Sequence, residues 1–152
     1  MFSGSSLLTL DNKGRFAVPK RLREHLTEED SQSLILTLDI ASPCILIYPE
    51  FAWQSVAAKL MKLSDTNKTE RAVKRLLLGH AHETQMDNNG RILVPGALKE
   101  QCQLTKNVAL VGQLNKFELW DLQLWNEQIQ SSKQLLEQTD LTEFESLSQF
   151  SL

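Results

Sequence analysis

A chain of 152 residues with 41% hydrophobic and 23% charged side chains has enough apolar surface for one ordinary domain, or two small ones sharing a core. No apolar run approaches the roughly 20 residues of a membrane-spanning helix. The opening "MFSGSSLLTLDNKGR" lacks the basic start and long apolar stretch of a secretory signal. A net charge of −3 excludes a uniformly basic protein, but the distribution is uneven. Lys13, Arg15, Lys20, Arg21 and Arg23 face only Asp11 across residues 1–23, a local +4. Lys59, Lys62, Lys68, Arg71, Lys74 and Arg75 face Asp65 and Glu70 across 59–75, again +4. A polyanion responds to such local fields rather than to the total. Cys44 and Cys102 do not form a C-x-x-C pair, and suit packed thiols in a reducing cytoplasm better than a disulfide or zinc scaffold.

In chain order, Leu7–Leu10 and Arg15–Val18 read as two short strands of a hairpin, with Gly14 in the left-handed region of the turn between them. Pro19 suits the first turn of a helix, where its missing N–H needs no partner, and Leu22 and Leu26 give that helix an apolar stripe. Leu34–Leu38 and Ile45–Tyr48 are strand-like, separated by Ser42-Pro43. A longer helix from Pro49 carries Trp53, Val56, Ala57, Leu60 and Met61 at helical spacing. Asn67 caps a further helix with Glu70 at the capping-box position and Gly79 at its stop. That helix shows Ala72, Val73, Leu76 and Leu77 on one face and basic residues on the other. The order then recurs: a strand to Met86, a turn, a strand over 91–94, a helix from Pro95, strands near 107–112 and 116–120, and a helix from Asp121. The acidic tail after Thr139 is expected to fray.

The recurrence is a repeat in the residues themselves. "LDNKGRFAVPKRLRE" at 10–24 and "MDNNGRILVPGALKE" at 86–100 align without a gap. Asp11 matches Asp87, Gly14 matches Gly90, Arg15 matches Arg91, and Val18-Pro19 match Val94-Pro95. Further on, Ile47, Tyr48 and Trp53 match Leu119, Trp120 and Trp125. A β-β-α-β-β unit of this size has little core of its own, so the two copies are expected to bury their sheets together as an intramolecular pseudo-dimer. The fold class is therefore α+β: a compact, barrel-like sheet built from both repeats, with additional helices.

An Asp-x-x-Gly-Arg turn has a plain structural explanation, with Asp bracing the turn and Gly supplying its dihedral. The first copy adds Lys13, Arg15, Lys20, Arg21 and Arg23. A rigid tip bearing such cations suits a DNA major groove, where Arg pairs in a fork with guanine O6 and N7 while its neighbours hold phosphates. The second copy has Asn89 in place of Lys13 and Gly96-Ala97 in place of Lys20-Arg21, making it the weaker candidate for phosphate binding.

The paired motifs, together with "PCILIYP", "RLLLGHA" and "FELWD", resemble the MraZ family of bacterial proteins from Met1 to about Trp125. The resemblance implies a tandem AbrB-like swapped-hairpin β-barrel. It implies a cytoplasmic, nucleoid-associated transcriptional regulator that represses its own gene and the division and cell-wall gene cluster. The expected partners are double-stranded DNA, as short G-rich direct repeats in the promoter, and further copies of the chain in a ring. Carried onto this sequence, the family's DNA motif falls on 11–15 and 87–91, with Arg15 and Arg91 on the DNA and Asp11 and Asp87 bracing the turns, which Gly14 and Gly90 also support. The charge of the first copy adds Lys13, Lys20, Arg21 and Arg23 to the expected DNA-binding set. Residues 5–52 and 81–124 are expected as the two AbrB-like domains, 53–80 as a helical connector, and 125–152 as a C-terminal helix with the acidic tail.

An enzyme is one rival reading. His80, His82 and Glu83 lie close in sequence, but a third metal ligand at suitable spacing is missing. No phosphate loop or nucleophile elbow is evident. No catalytic residue, cofactor, small-molecule substrate or membrane contact is therefore expected. The other rival is an AbrB-like assembly or antidote module that does not read an operator. The three tryptophans are assigned to core or subunit contacts.

Overall fold

The structure, a computed structural model, describes residues 1–27 and 33–150. Residues Met1–Leu122 form one compact unit and Gln123–Leu152 a second. The strands are β1 (Ser5–Thr9), β2 (Arg15–Ala17), β3 (Ser33–Leu38), β4 (Ile45–Pro49), β5 (His82–Gln85), β6 (Arg91–Leu93), β7 (Asn107–Gly112) and β8 (Phe117–Asp121). The helices are α1 (Lys20–Thr27), α2 (Glu50–Met61), α3 (Lys68–Gly79), α4 (Gly96–Gln101), α5 (Leu122–Glu137) and α6 (Glu145–Ser148), with a 3-10 turn at Leu141–Glu143.

The fold is mixed α+β with antiparallel strand pairing, as the repeat unit predicts. The local hairpin is not formed. The backbone does close tightly between Asp11 and Arg15, but β1 pairs with β7 and β2 pairs with β6. Likewise β5, from the second repeat, pairs with β3 of the first. The repeats thus exchange strands instead of stacking two complete sheets. The result is a six-stranded sheet ordered β1-β7-β8-β4-β3-β5 and a separate ribbon β2-β6. Exchanging repeats turns this order into its own reverse, so a pseudo-twofold axis runs between β8 and β4.

Burial explains the exchange. Phe16 lies opposite Ile92 in the ribbon, and both are almost fully buried. With Val18 and Leu22 from one repeat, Val94 and Leu98 from the other, and Leu36, Ile47, Leu110 and Leu119 from the sheet, they form one hydrophobic cluster. Burying each such side chain stabilises the fold by about 1.5–3 kcal/mol. A 3-residue strand like β2 cannot gather that many apolar neighbours within its own repeat.

The outer helices depart from their predicted stripes. On α2 the buried residues are Ala52 and Leu60, while Met61 is 84% exposed. Asn67 caps α3 by accepting from the amides of Thr69 and Glu70. The helix runs through Gly79 rather than ending before it, and none of its residues is buried. Leu76 and Leu78 remain exposed because only one side of α3 meets β3, where the Thr37 hydroxyl donates to the Leu77 carbonyl. In the second unit the tail is ordered into the 3-10 turn and α6, since Asp140 accepts from the Thr142 amide and caps the turn.

Candidate nucleic-acid interface

Each Asp-x-x-Gly-Arg turn is held by the same bonds. Asp11 Oδ1 accepts from the amides of Lys13 and Arg15, each at 2.9 Å. Its Oδ2 accepts from Arg15 Nε at 2.8 Å. Asp87 Oδ1 accepts from the amides of Asn89 and Arg91, each at 2.9 Å, and Oδ2 from Arg91 Nε at 3.2 Å. Gly14 and Gly90 adopt φ of +81° and +73°, a region costly to any residue with a Cβ. The Arg15 backbone N–H, assisted by its guanidinium, holds Asp11 at about 2, below the ordinary 3.8. The Arg91 amide lowers Asp87 in the same way. Both carboxylates are therefore charged and engaged at neutral pH, and each one orients its arginine.

The two turns meet. Val18 N–H donates to the Gly90 carbonyl and Val94 N–H to the Gly14 carbonyl, both at 2.9 Å. Between them lies the ribbon, and Arg91 Nη1 stands 4.0 Å from Asp11 Oδ2. Arg15 and Arg91 accordingly belong to one surface rather than to two separate tips. The Arg15 side chain is only 26% exposed, tied down by Asp11.

The flanking cations are distributed differently from their order in the sequence. Lys13 is exposed within the first turn. Arg23, however, donates through Nη1 to the Asn89 carbonyl of the second turn at 3.4 Å. A Cβ on Gly90 would collide with the Arg23 side chain, so the guanidinium lies directly over that glycine. Lys20 and Arg23 line a shallow groove together with Asp87, Asn88 and Gly90. Arg21 turns toward the N-terminus, its Nη1 3.5 Å from the Ser3 carbonyl. The expectation that α1 supplies cations to the first turn thus needs correcting: the strand exchange carries Lys20 and Arg23 to the second. Only knowledge of the β2-β6 pairing could have shown this, and nothing in the local sequence encodes it.

The remaining candidates are occupied by structural bonds. His80 Nδ1 contacts the Leu76 carbonyl, His82 Nδ1 the His80 carbonyl, and Glu83 accepts from the Ser33 hydroxyl. Cys44 and Cys102 are free and buried. Burial pushes both thiols up, Cys102 to about 11, so neither is a reactive thiolate. Trp120 is buried, whereas Trp53 packs its ring 5.6 Å from that of Tyr48. Among the described residues, no helix is long and apolar enough to cross a membrane.

Fold and site together define a class: a duplicated α+β protein whose repeats exchange strands and bring two Asp-braced, arginine-bearing turns onto one face. The family described as "MraZ protein, putative antitoxin-like" matches residues 1–76 and 77–146. The chain belongs to the MraZ family. It is 51% identical over 152 residues, the whole of both chains, to the Transcriptional regulator MraZ of Shewanella sediminis. It is 53% identical, again over both full chains, to the proteins of that name from Shewanella amazonensis and Shewanella pealeana.

Proposed function

We propose that this chain is a transcriptional regulator that binds double-stranded promoter DNA through its paired turns. One observation carries the reading: two rigid turns, bonded to each other through Val18–Gly90 and Val94–Gly14, each fix an arginine with a carboxylate. An arginine held this way approaches DNA with little left to order, and its terminal nitrogens match the O6 and N7 acceptors of guanine. Lys13 beside it suits a phosphate. The names carried by the relatives support the regulatory role.

The strand exchange supports an AbrB-like swapped-hairpin reading of the fold. The operator is then a set of short G-rich direct repeats upstream of the chain's own gene. Repression extends to the division and cell-wall cluster, and the protein works in the cytoplasm on the nucleoid. Phe51, Met61, Leu76 and Leu78 on α2 and α3 are large apolar residues left exposed, which supports assembly of several copies into a ring. Simultaneous contact with several repeats would then raise avidity.

A gel shift on DNA from upstream of the chain's own gene tests the reading, with circular dichroism and light scattering as controls. The parent should bind with affinity that falls steeply as salt rises. Folded, assembled Arg15→Ala should bind the operator more weakly by about 1–3 kcal/mol per contact. If that variant shifts DNA like the parent, the turn is purely structural. A monomer at micromolar concentration would remove the ring.

A further inference from the structure

We propose that Lys20 and Arg23 of the first repeat serve the second turn, lining beside it a groove for a DNA backbone phosphate. Each half of the interface is then assembled from both repeats. The inference rests on the DNA-binding reading above and deepens it.

The geometry begins with the Val18 N–H bond to the Gly90 carbonyl, which anchors the start of α1 against the second turn. Pro19 follows with its restricted φ, so Lys20 leaves the backbone at a fixed place. Lys20 is exposed and Arg23 half-buried over Gly90, and both border the groove that Asp87 and Gly90 complete. Glu24 also lines it, so the groove holds two cations, Lys20 and Arg23, and two carboxylates, Glu24 and Asp87. Asp87 is already committed to Arg91 and to two backbone amides. With Asp87 paired to Arg91, Lys20 and Arg23 face only Glu24, and a lysine ammonium is a suitable point charge for a phosphate.

The pseudo-twofold carries Lys20 and Arg23 onto Gly96 and Lys99, and Asn89 onto Lys13. The first turn itself carries Lys13 and Arg15, the second Arg91, and it is the second that Lys20 and Arg23 of α1 adjoin. The shortage of cations in the second turn of the linear sequence is made up by the first repeat once strand exchange is counted. The first half holds one of its cations inside the turn, and the second borrows two from a neighbouring helix. This arrangement leaves Gly96 as the vacant counterpart of Lys20. It is exposed, and a Cβ added there meets nothing within 4 Å.

Salt titrations of binding to the upstream duplex test the assignment in the full chain, with circular dichroism confirming the fold. Lys20→Gln should weaken binding on all duplexes alike and lower the salt slope by about 1. Its effect should be non-additive with Arg91→Ala and additive with Arg15→Ala. Gly96→Lys should do the reverse, tightening binding, raising the slope by about 1, and losing its gain when combined with Arg15→Ala. If Lys20→Gln couples to Arg15→Ala instead, or leaves binding and slope unchanged while Arg15→Ala weakens binding, the groove assignment is wrong and the DNA reading stands. If the folded parent binds no duplex at any salt, the DNA reading fails and the groove fails with it.

Discussion

The first turn carries Lys13 and Arg15, the second Asn89 and Arg91, yet one set of bonds braces both. Their bracing differs mainly in the arginine–aspartate contact, 2.8 Å in the first and 3.2 Å in the second. Their surroundings differ more. A Cβ on Gly14 would touch only the Val94 carbonyl at 3.6 Å, whereas the space over Gly90 is filled by Arg23. The comparison teaches that charge counted along a repeat is a poor guide to charge around it when the repeats trade strands.

The largest effect should come from what joins the turns. Phe16 and Ile92 face each other in the ribbon and are almost fully buried. Phe16→Ala should cost about 3–5 kcal/mol and Ile92→Ala about 2–5 kcal/mol, as core truncations do. Urea unfolding measures both. If either variant costs under about 1 kcal/mol, the size of an average point substitution, the ribbon does not hold the repeats together.

Next comes the pair of glycines. Alanine at either position pays for a left-handed backbone, about 1–3 kcal/mol. Gly90→Ala must also displace Arg23, so it should be the more damaging of the two in the same urea experiment. Gly14→Ala proving equal or worse would mean that Arg23 yields without resistance.

The arginines sharpen the comparison at the level of function. Because the second turn has Lys20 and Arg23 beside it, Arg91→Ala should weaken operator binding about as much as Arg15→Ala. Each should lose about 1–3 kcal/mol per contact. A loss confined to Arg15→Ala, read by titration on one duplex, would make the second turn a structural copy.

The turns were legible in the sequence because the chemistry of Asp, Gly and Pro is local. An Asp side chain reaches amides two and four residues on, and Gly14 and Gly90 supply the positive φ their position requires. The strands were legible from their apolar runs for the same reason. Pairing was not: β2 and β6 are 76 residues apart, and a hairpin partner and an exchanged partner satisfy the same pattern. The partial burial of Arg15 was not legible, because its salt bridge to Asp11 lies four residues back along a turn, where periodicity carries no information. Met61 was misplaced because α2 buries only Ala52 and Leu60, so the helical stripe outruns its contact.

The smallest expected effect is a response to acid, and it separates the turns by the strength of their bracing. Asp11 is held at about 2 against an ordinary 3.8, chiefly by the Arg15 amide. A folded-state value below the unfolded one means the unfolded chain takes up protons first. The stabilisation is complete above about pH 4 and disappears as pH falls through about 2. Asp87 is lowered in the same direction by the Arg91 amide, with a longer contact to its arginine. Asp11→Asn keeps a side-chain oxygen for the amides but removes the charge, so its stability should fall less between pH 4 and 2 than the parent's. Asp87→Asn should show a smaller change of the same sign. Both groups face solvent, so added salt should shrink the difference. Urea unfolding at several pH values in low salt decides it. Parallel acid profiles for parent and Asp11→Asn would mean that the carboxylate orients Arg15 without its charge stabilising the fold.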